Sequence, residues 1–188
     1  MCIRDRLNTP DRMLPGGYLY LSDMLAEPRL IRRMGVILAG PYYDENVDFV
    51  LTMETKGIPV ATMTADALHV PLVIARRSSK VYEGSAVNIN FPDSKGGIET
   101  MSLARRAVKS GQRALIVDDF MRRGGTALGM IALMAEFGVS VAGLAFVLAQ
   151  EAAAPLTALP EHPLMLFKET EDHSAMVVRP APWVGQTA

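Results

Sequence analysis

Residues 114 to 130 read ALIVDDFMRRGGTALGM. With Arg113 in front, RALIVDDF has the near-continuous apolar run of a strand buried on both faces, and it ends on two adjacent acids. Gly124, Gly125 and Thr126 then open TALGMIALMAEFG, a helical stretch with Gly138 at its C-terminal cap. VSVAGLAFVLAQ follows as another buried strand. The same order precedes it: VDFVLTM (47 to 53) as a short strand, the glycine and proline step TKGIP, a helix ending near Leu68, and PLVIAR (71 to 76) as a strand. Strands alternating with helices in this way predict an α/β fold, a mostly parallel sheet flanked by helices on both faces.

The remaining segments fit around that core. After LPGGYLYLSD, Ser22 is positioned to cap a helix running to about Gly40, with Leu30, Ile31, Met34, Ile37 and Leu38 on one face. KVYEGSAVNINF and IETMSL bracket the turn-forming PDSKGG, so residues 80 to 103 read as a projecting two-stranded ribbon. SLARRAVKSG reads as a short basic helix. Beyond Glu151 the chain is rich in Ala and Pro, with a weaker hairpin signal in LMLFKETEDHSAMVVR. No repeat or low-complexity tract interrupts it.

At 188 residues, 49% hydrophobic and 21% charged, the chain suits one globular domain with a sizeable core. A net charge of -1, from 19 basic and 20 acidic residues, gives no global positive field of the kind that holds nucleic acid. The longest apolar stretch, around 139 to 149, is too short to cross a bilayer, and the N-terminus lacks an export signal, so no membrane partner and a cytoplasmic location are expected. The single cysteine, Cys2, rules out an internal disulfide. MCIRDR has neither periodicity nor turn chemistry; residues 1 to 6 are read as a non-native leader, and 7 to 188 as the domain.

In open α/β sheets, ligands bind beyond the carboxyl ends of the strands, where IVDD ends. Ionised Asp118 and Asp119 accept hydrogen bonds without donating, so a vicinal diol such as the 2- and 3-hydroxyls of a ribose is a natural partner. Each such charge-assisted bond contributes roughly 1.5 to 3 kcal/mol. Gly124 and Gly125 let backbone amides approach an anion, Thr126 adds a hydroxyl, and the following helix aims its positive end at the loop. Sugar hydroxyls on the acids and a phosphate on the loop describe a ribose 5-phosphate. Either fragment alone reads as a solvated turn or a helix cap; the ordered combination is far more specific. Neither G-x-x-x-x-G-K-[ST] nor G-x-G-x-x-G occurs, which removes the main support for nucleoside triphosphatase and dinucleotide readings.

LIVDDFMRRGGT resembles the phosphoribosyl pyrophosphate (PRPP) motif of the type I phosphoribosyltransferase family. The resemblance implies a pyrophosphate loop after an earlier strand, and METKGIP (53 to 59) sits where it belongs. It also implies that the ribbon is the hood over the sugar pyrophosphate, with Arg76, Arg77 and Lys80 at its base. LPGGYLYLSD, TKGIPVA, KVYEGSAVNIN, TMSLARR and VDDFMRRGGTALGMIALMAEFGVSVAGL together resemble the effector domain of the purine operon repressor family of Gram-positive bacteria, over roughly residues 7 to 150. That family has the phosphoribosyltransferase fold and is regarded as sensing PRPP, with purine nucleotides such as guanosine tetraphosphate competing. Its members carry a winged-helix DNA-binding domain in front, which is missing from this segment, so contact with DNA would run only through that domain.

Carried over residue by residue, the resemblance gives Asp118 and Asp119 the ribose hydroxyls and Arg122, Arg123, Gly124, Gly125 and Thr126 the 5-phosphate. Thr55, Lys56 and Gly57 would take the pyrophosphate, with Mg²⁺ arriving on PRPP and no direct metal ligand in the protein. Tyr18 and Phe120 would pack a nucleobase, although both read equally well as core aromatics. The Arg122-Arg123 pair departs from the family pattern of one basic residue followed by a small one. The hood tip, FPDSKGG, offers only Asp93 and Lys95 for acid-base work, and spacing alone identifies no base pocket. A PRPP-binding regulatory domain with activity lost is therefore the first reading, and an active purine or xanthine phosphoribosyltransferase the second. A homodimer is implied by the family and suited by the apolar helix stripes.

Overall fold

The computed structural model describes residues 13–14, 18–77, 84–92, 97–170 and 176–185. The leader assigned to residues 1 to 6 lies outside them, as do Lys80, Asp93 and Lys95. In chain order, β1 (Met13–Leu14) pairs antiparallel with β2 (Tyr18–Leu19). Helices α1 (Ser22–Leu25) and α2 (Pro28–Ala39) lead through a 3-10 turn at Gly40–Tyr42 into β3 (Phe49–Met53), α3 (Ile58–Leu68) and β4 (Leu72–Ala75). A hairpin of β5 (Ala86–Pro92) and β6 (Ile98–Ala104) follows. Then come β7 (Arg113–Met121), α4 (Gly125–Glu136), β8 (Ser140–Gln150), β9 (Glu161–Glu169) and β10 (Met176–Pro180).

Six strands form the main sheet in the order β10-β9-β8-β7-β3-β4. All neighbours run parallel except β10, which turns back antiparallel along β9. Two apolar layers cover its faces. Leu25, Met34 and Leu38 of α1 and α2, with Val60 and Ala61 of α3, pack on Val50, Leu115 and Val117. On the other face Met130 and Leu133 of α4 and Phe91 and Met101 of the hairpin pack on Leu51 and Ile116. The hairpin is a separate two-stranded sheet, tied to the end of β4 through paired backbone bonds between Arg76 and Ser102.

Two expected helices come out differently. The stretch from Ser22 to Gly40 is two helices, because Pro28 has no amide to continue the first and suits the first turn of the second. Leu21 holds the cap position, so Ser22 is inside the helix and caps nothing. SLARRAVKSG is no helix: Ser102, Leu103 and Ala104 finish β6, and turns follow. The Arg76 ladder claims the backbone of Ser102, which overrides local helix preference. The first parallel strand begins at Phe49, two residues later than its apolar run suggests.

Candidate functional site

A cleft of about 400 Å³ opens where β3 and β7 end, lined by Leu21, Met53, Glu54, Thr55, Lys56, Arg77, Asp118, Asp119, Phe120 and Thr126. The acids sit in its wall while β7 is still a strand, since β7 continues to Met121. Strict alternation would send the two carboxyls to opposite faces. It slips here: Val117 and Phe120, three residues apart, both belong to the apolar layer that α1 to α3 help to build. The slip lets one cleft collect both acids, and the Asp119 amide donates to Asp118 Oδ1 at 2.9 Å. Burial, and then the neighbouring Asp119 carboxylate, hold Asp118 well above the usual carboxylate range. Burial also raises Asp119, against the pull of its hydrogen bond with Asp118 and the charge of Lys56. Such a pair shares protons, and a ligand that supplies hydroxyl donors or positive charge relieves the repulsion.

The loop after β3 carries the opposing charge. Thr55 and Lys56 are exposed, and the Glu54–Thr55 peptide is cis. Gly57 is buried against the acids: a Cβ there would stand 2.4 Å from Asp118 Oδ1 and 2.5 Å from Thr52 Oγ1. Only glycine lets the start of α3 approach so closely. Arg77, just past β4, donates its amide to Glu54 Oε1 at 2.6 Å and pairs its guanidinium with Glu99 of the hairpin. Glu54, Leu21 and Met53 were not among the expected site residues, although Glu54 and Met53 lie within METKGIP.

On the far side, Gly124 adopts φ 77° to turn the chain into α4, and a Cβ there would strike Leu156. Gly125 admits the carbonyl of Pro92 from the hairpin, and Gly129 admits Phe91, so β5 rests on the first turns of α4. Of the residues expected at a phosphate, Thr126 lines the cleft, Arg123 is exposed, and Arg122 is drawn to Glu169 at the end of β9, 2.6 Å away. Phe120 lines the cleft and stacks on Phe167 at 5.2 Å. Tyr18 opens β2, outside the residues whose side chains are described.

The phosphoribosyl transferase domain model matches residues 22 to 181, nearly all of the described chain. The chain belongs to the phosphoribosyltransferase family. It is also similar to purine operon regulators. The probable purine biosynthesis transcriptional regulator PurR of Streptococcus pneumoniae is 46% identical over 145 residues, 76% of this chain and 53% of that protein. The purine biosynthesis transcriptional repressor PurR of Bacillus subtilis is 48% identical over 139 residues, 73% of this chain and 49% of that protein. The chain thus spans about half the length of these curated relatives. Among solved structures, adenine phosphoribosyltransferase from Rhodothermus marinus superposes with a TM-score of 0.73 at 25% identity, over 85% of this chain and 94% of that one. Fold and family expectations from the sequence therefore hold, including the separate hairpin. Among the described residues no helix is long and apolar enough to cross a membrane.

Proposed function

We propose that this domain binds PRPP as the regulatory module of a purine biosynthesis regulator. The observation that carries the reading is the convergence of Asp118, Asp119, Lys56, Arg77 and Thr126 on one cleft at the carboxyl ends of β3 and β7. Acids to accept a ribose diol stand beside cations and a helix N-terminus for the phosphates, as a sugar carrying phosphate at both ends requires. The similarity to two proteins named as purine biosynthesis regulators supports the regulatory half.

In this reading Asp118 and Asp119 take the sugar hydroxyls, Gly124, Gly125 and Thr126 the 5-phosphate, and Thr55, Lys56 and Gly57 the pyrophosphate. Mg²⁺ enters on the pyrophosphate oxygens; the described residues bring no three carboxylates, histidines or cysteines together around an ion. A purine nucleotide with its own pyrophosphate, such as guanosine tetraphosphate, would compete for the same groups, with Phe120 and Leu21 as apolar surface for a base. The domain would act as a homodimer in the cytoplasm and pass its ligand state to a separate DNA-reading domain.

Phosphorus NMR of PRPP with Mg²⁺, the protein and a mixture of purine bases tests this, against a protein-free control for hydrolysis. Broadened PRPP signals without new pyrophosphate are expected. Pyrophosphate growing in step with a nucleotide would make the domain a phosphoribosyltransferase instead, and unchanged PRPP signals would remove the ligand assignment.

A further inference from the structure

Thr52 is the penultimate residue of β3, and its side chain is wholly buried. Its Oγ1 has no hydrogen-bond partner among the described residues, which is costly for a hydroxyl out of reach of water. That oxygen does not face an apolar wall. It and Asp118 Oδ1 stand 2.5 Å and 2.4 Å from the point where a Cβ on Gly57 would sit, so the two oxygens are separated by no more than the sum of those distances. The absent side chain of Gly57 is what lets them face each other. Asp118 Oδ1 already accepts the amide of Asp119.

We propose that Thr52 is a positioning residue for Asp118. Its hydroxyl donates to Oδ1 once that carboxyl is ionised, completing a two-donor clamp with the Asp119 amide and leaving Oδ2 for the ligand. A hydrogen bond to the charged form favours that form, so Thr52 eases the release of the proton that burial and Asp119 favour on Asp118. The other charged groups bearing on the pair are Arg77 from the end of β4 and Lys56 from the loop after β3. Glu54 sits beside Arg77. None of them lies on β3 at Thr52, so the hydroxyl adds something that they do not. The inference builds on the sugar-binding role given above to Asp118, but its first test needs no ligand.

That test is the carboxyl titration of the whole chain labelled with ¹³C at aspartate, with the Asp118 signal assigned by its loss in Asp118→Asn. In Thr52→Val the Asp118 midpoint should move to higher pH than in the parent, and Thr52→Ser should restore it. If the valine variant does not fold, Thr52→Ala against Thr52→Ser asks the same question, because only serine keeps the hydroxyl. Identical midpoints in parent, valine or alanine, and serine variants overturn the proposal, and so does a serine variant shifted as far as alanine. Calorimetric PRPP titrations should then place Thr52→Val about tenfold weaker than the parent near neutral pH, the worth of one hydrogen bond to a charged acceptor. That gap should narrow as pH rises past the Asp118 midpoint. A parent that fails to bind PRPP at any pH would remove the PRPP reading while leaving the titration to judge Thr52.

Discussion

Asp118 lies in β7, and His162 lies in β9 at nearly the same height: Ala145 of the intervening β8 pairs with both Val117 and His162. Around His162 the protein supplies its own partners. Tyr42 is buried and donates to the Leu144 carbonyl at 3.2 Å, its hydroxyl meets His162 Nδ1 at 2.8 Å, and Trp183 Nε1 donates to the Pro163 carbonyl at 2.6 Å. His162 also meets both Tyr42 and Trp183 ring edge to face. Burial raises the Tyr42 hydroxyl and lowers the His162 ring, so each is held neutral. Around Asp118, two acids press on each other and a threonine hydroxyl has no partner among the described residues. The first arrangement stabilises the fold; the second stores unfavourable electrostatics that a ligand can release.

The sharpest way to break this contrast is to remove the acids. The double replacement Asp118→Ala and Asp119→Ala should lower PRPP affinity by at least about 100-fold, since two charge-assisted bonds at roughly 1.5 to 3 kcal/mol each are lost. Calorimetry checks this, and equal affinity in parent and mutant would overturn the assignment. Next in size is Gly57→Ala. Its methyl group would enter the space of Asp118 Oδ1 and Thr52 Oγ1, so we expect a stability loss of about 1–3 kcal/mol from overpacking. PRPP affinity should fall on the order of tenfold as Asp118 is pushed aside.

The acids also make a pH prediction opposite to that of an ordinary salt-bridged carboxylate. The folded-state pKa of Asp118 lies above its unfolded value, so the group contributes stability that is present below the unfolded value and is lost as pH rises through the raised, folded value. The ligand-free domain should therefore melt at lower temperature as pH rises through that window. Asp118→Asn should flatten the dependence and raise the melting temperature by roughly 2–4 °C for each kcal/mol released, while weakening PRPP binding. A melting temperature that climbs with pH over this range in the parent would show that the acids are not strained.

Much of this cleft could be read in the chain itself, because its pieces are local. The apolar run, the acids, Gly124-Gly125-Thr126 and the helix are contiguous, and TKGIP ends one strand and starts one helix within a few residues. What escaped reading is what the fold brings together from a distance. Thr52 meets Asp118 only through the pairing of β3 with β7 and the approach of Gly57. Glu169 reaches Arg122 across 47 residues, and Leu156 covers Gly124 from a crossover with no periodic signal. SLARR misled for the same reason: its helix preference is local, whereas the Arg76 ladder that fixes it as strand is not.

On the closed side of the comparison, Tyr42→Phe should cost about 1–3 kcal/mol, because it strips the hydroxyl from between the buried Leu144 carbonyl and the half-buried His162 and leaves both short of a partner. Thermal melts followed by the fluorescence of Trp183, the sole tryptophan, would report it. PRPP affinity should not change, and a parallel loss of binding would mean that the two regions are one coupled unit.

The smallest effect separates Arg122 as a ligand group from Arg122 as a structural one. Its pair with Glu169 is partly buried, with side-chain accessibilities of 24% and 11%, so it is worth more than an exposed surface pair. If Arg122 is recruited to the 5-phosphate, it must first leave Glu169, and that competition subtracts from affinity. Glu169→Gln keeps the shape of the contact and removes its charge, so PRPP should bind roughly two- to fivefold tighter at low salt, with the gain fading as ionic strength rises. Arg122→Gln should then weaken binding in the Glu169→Gln background more than in the parent. A tightening that persists when Arg122 is absent would assign the effect to the negative field of Glu169 at the cleft and leave Arg122 as a strut between β7 and β9.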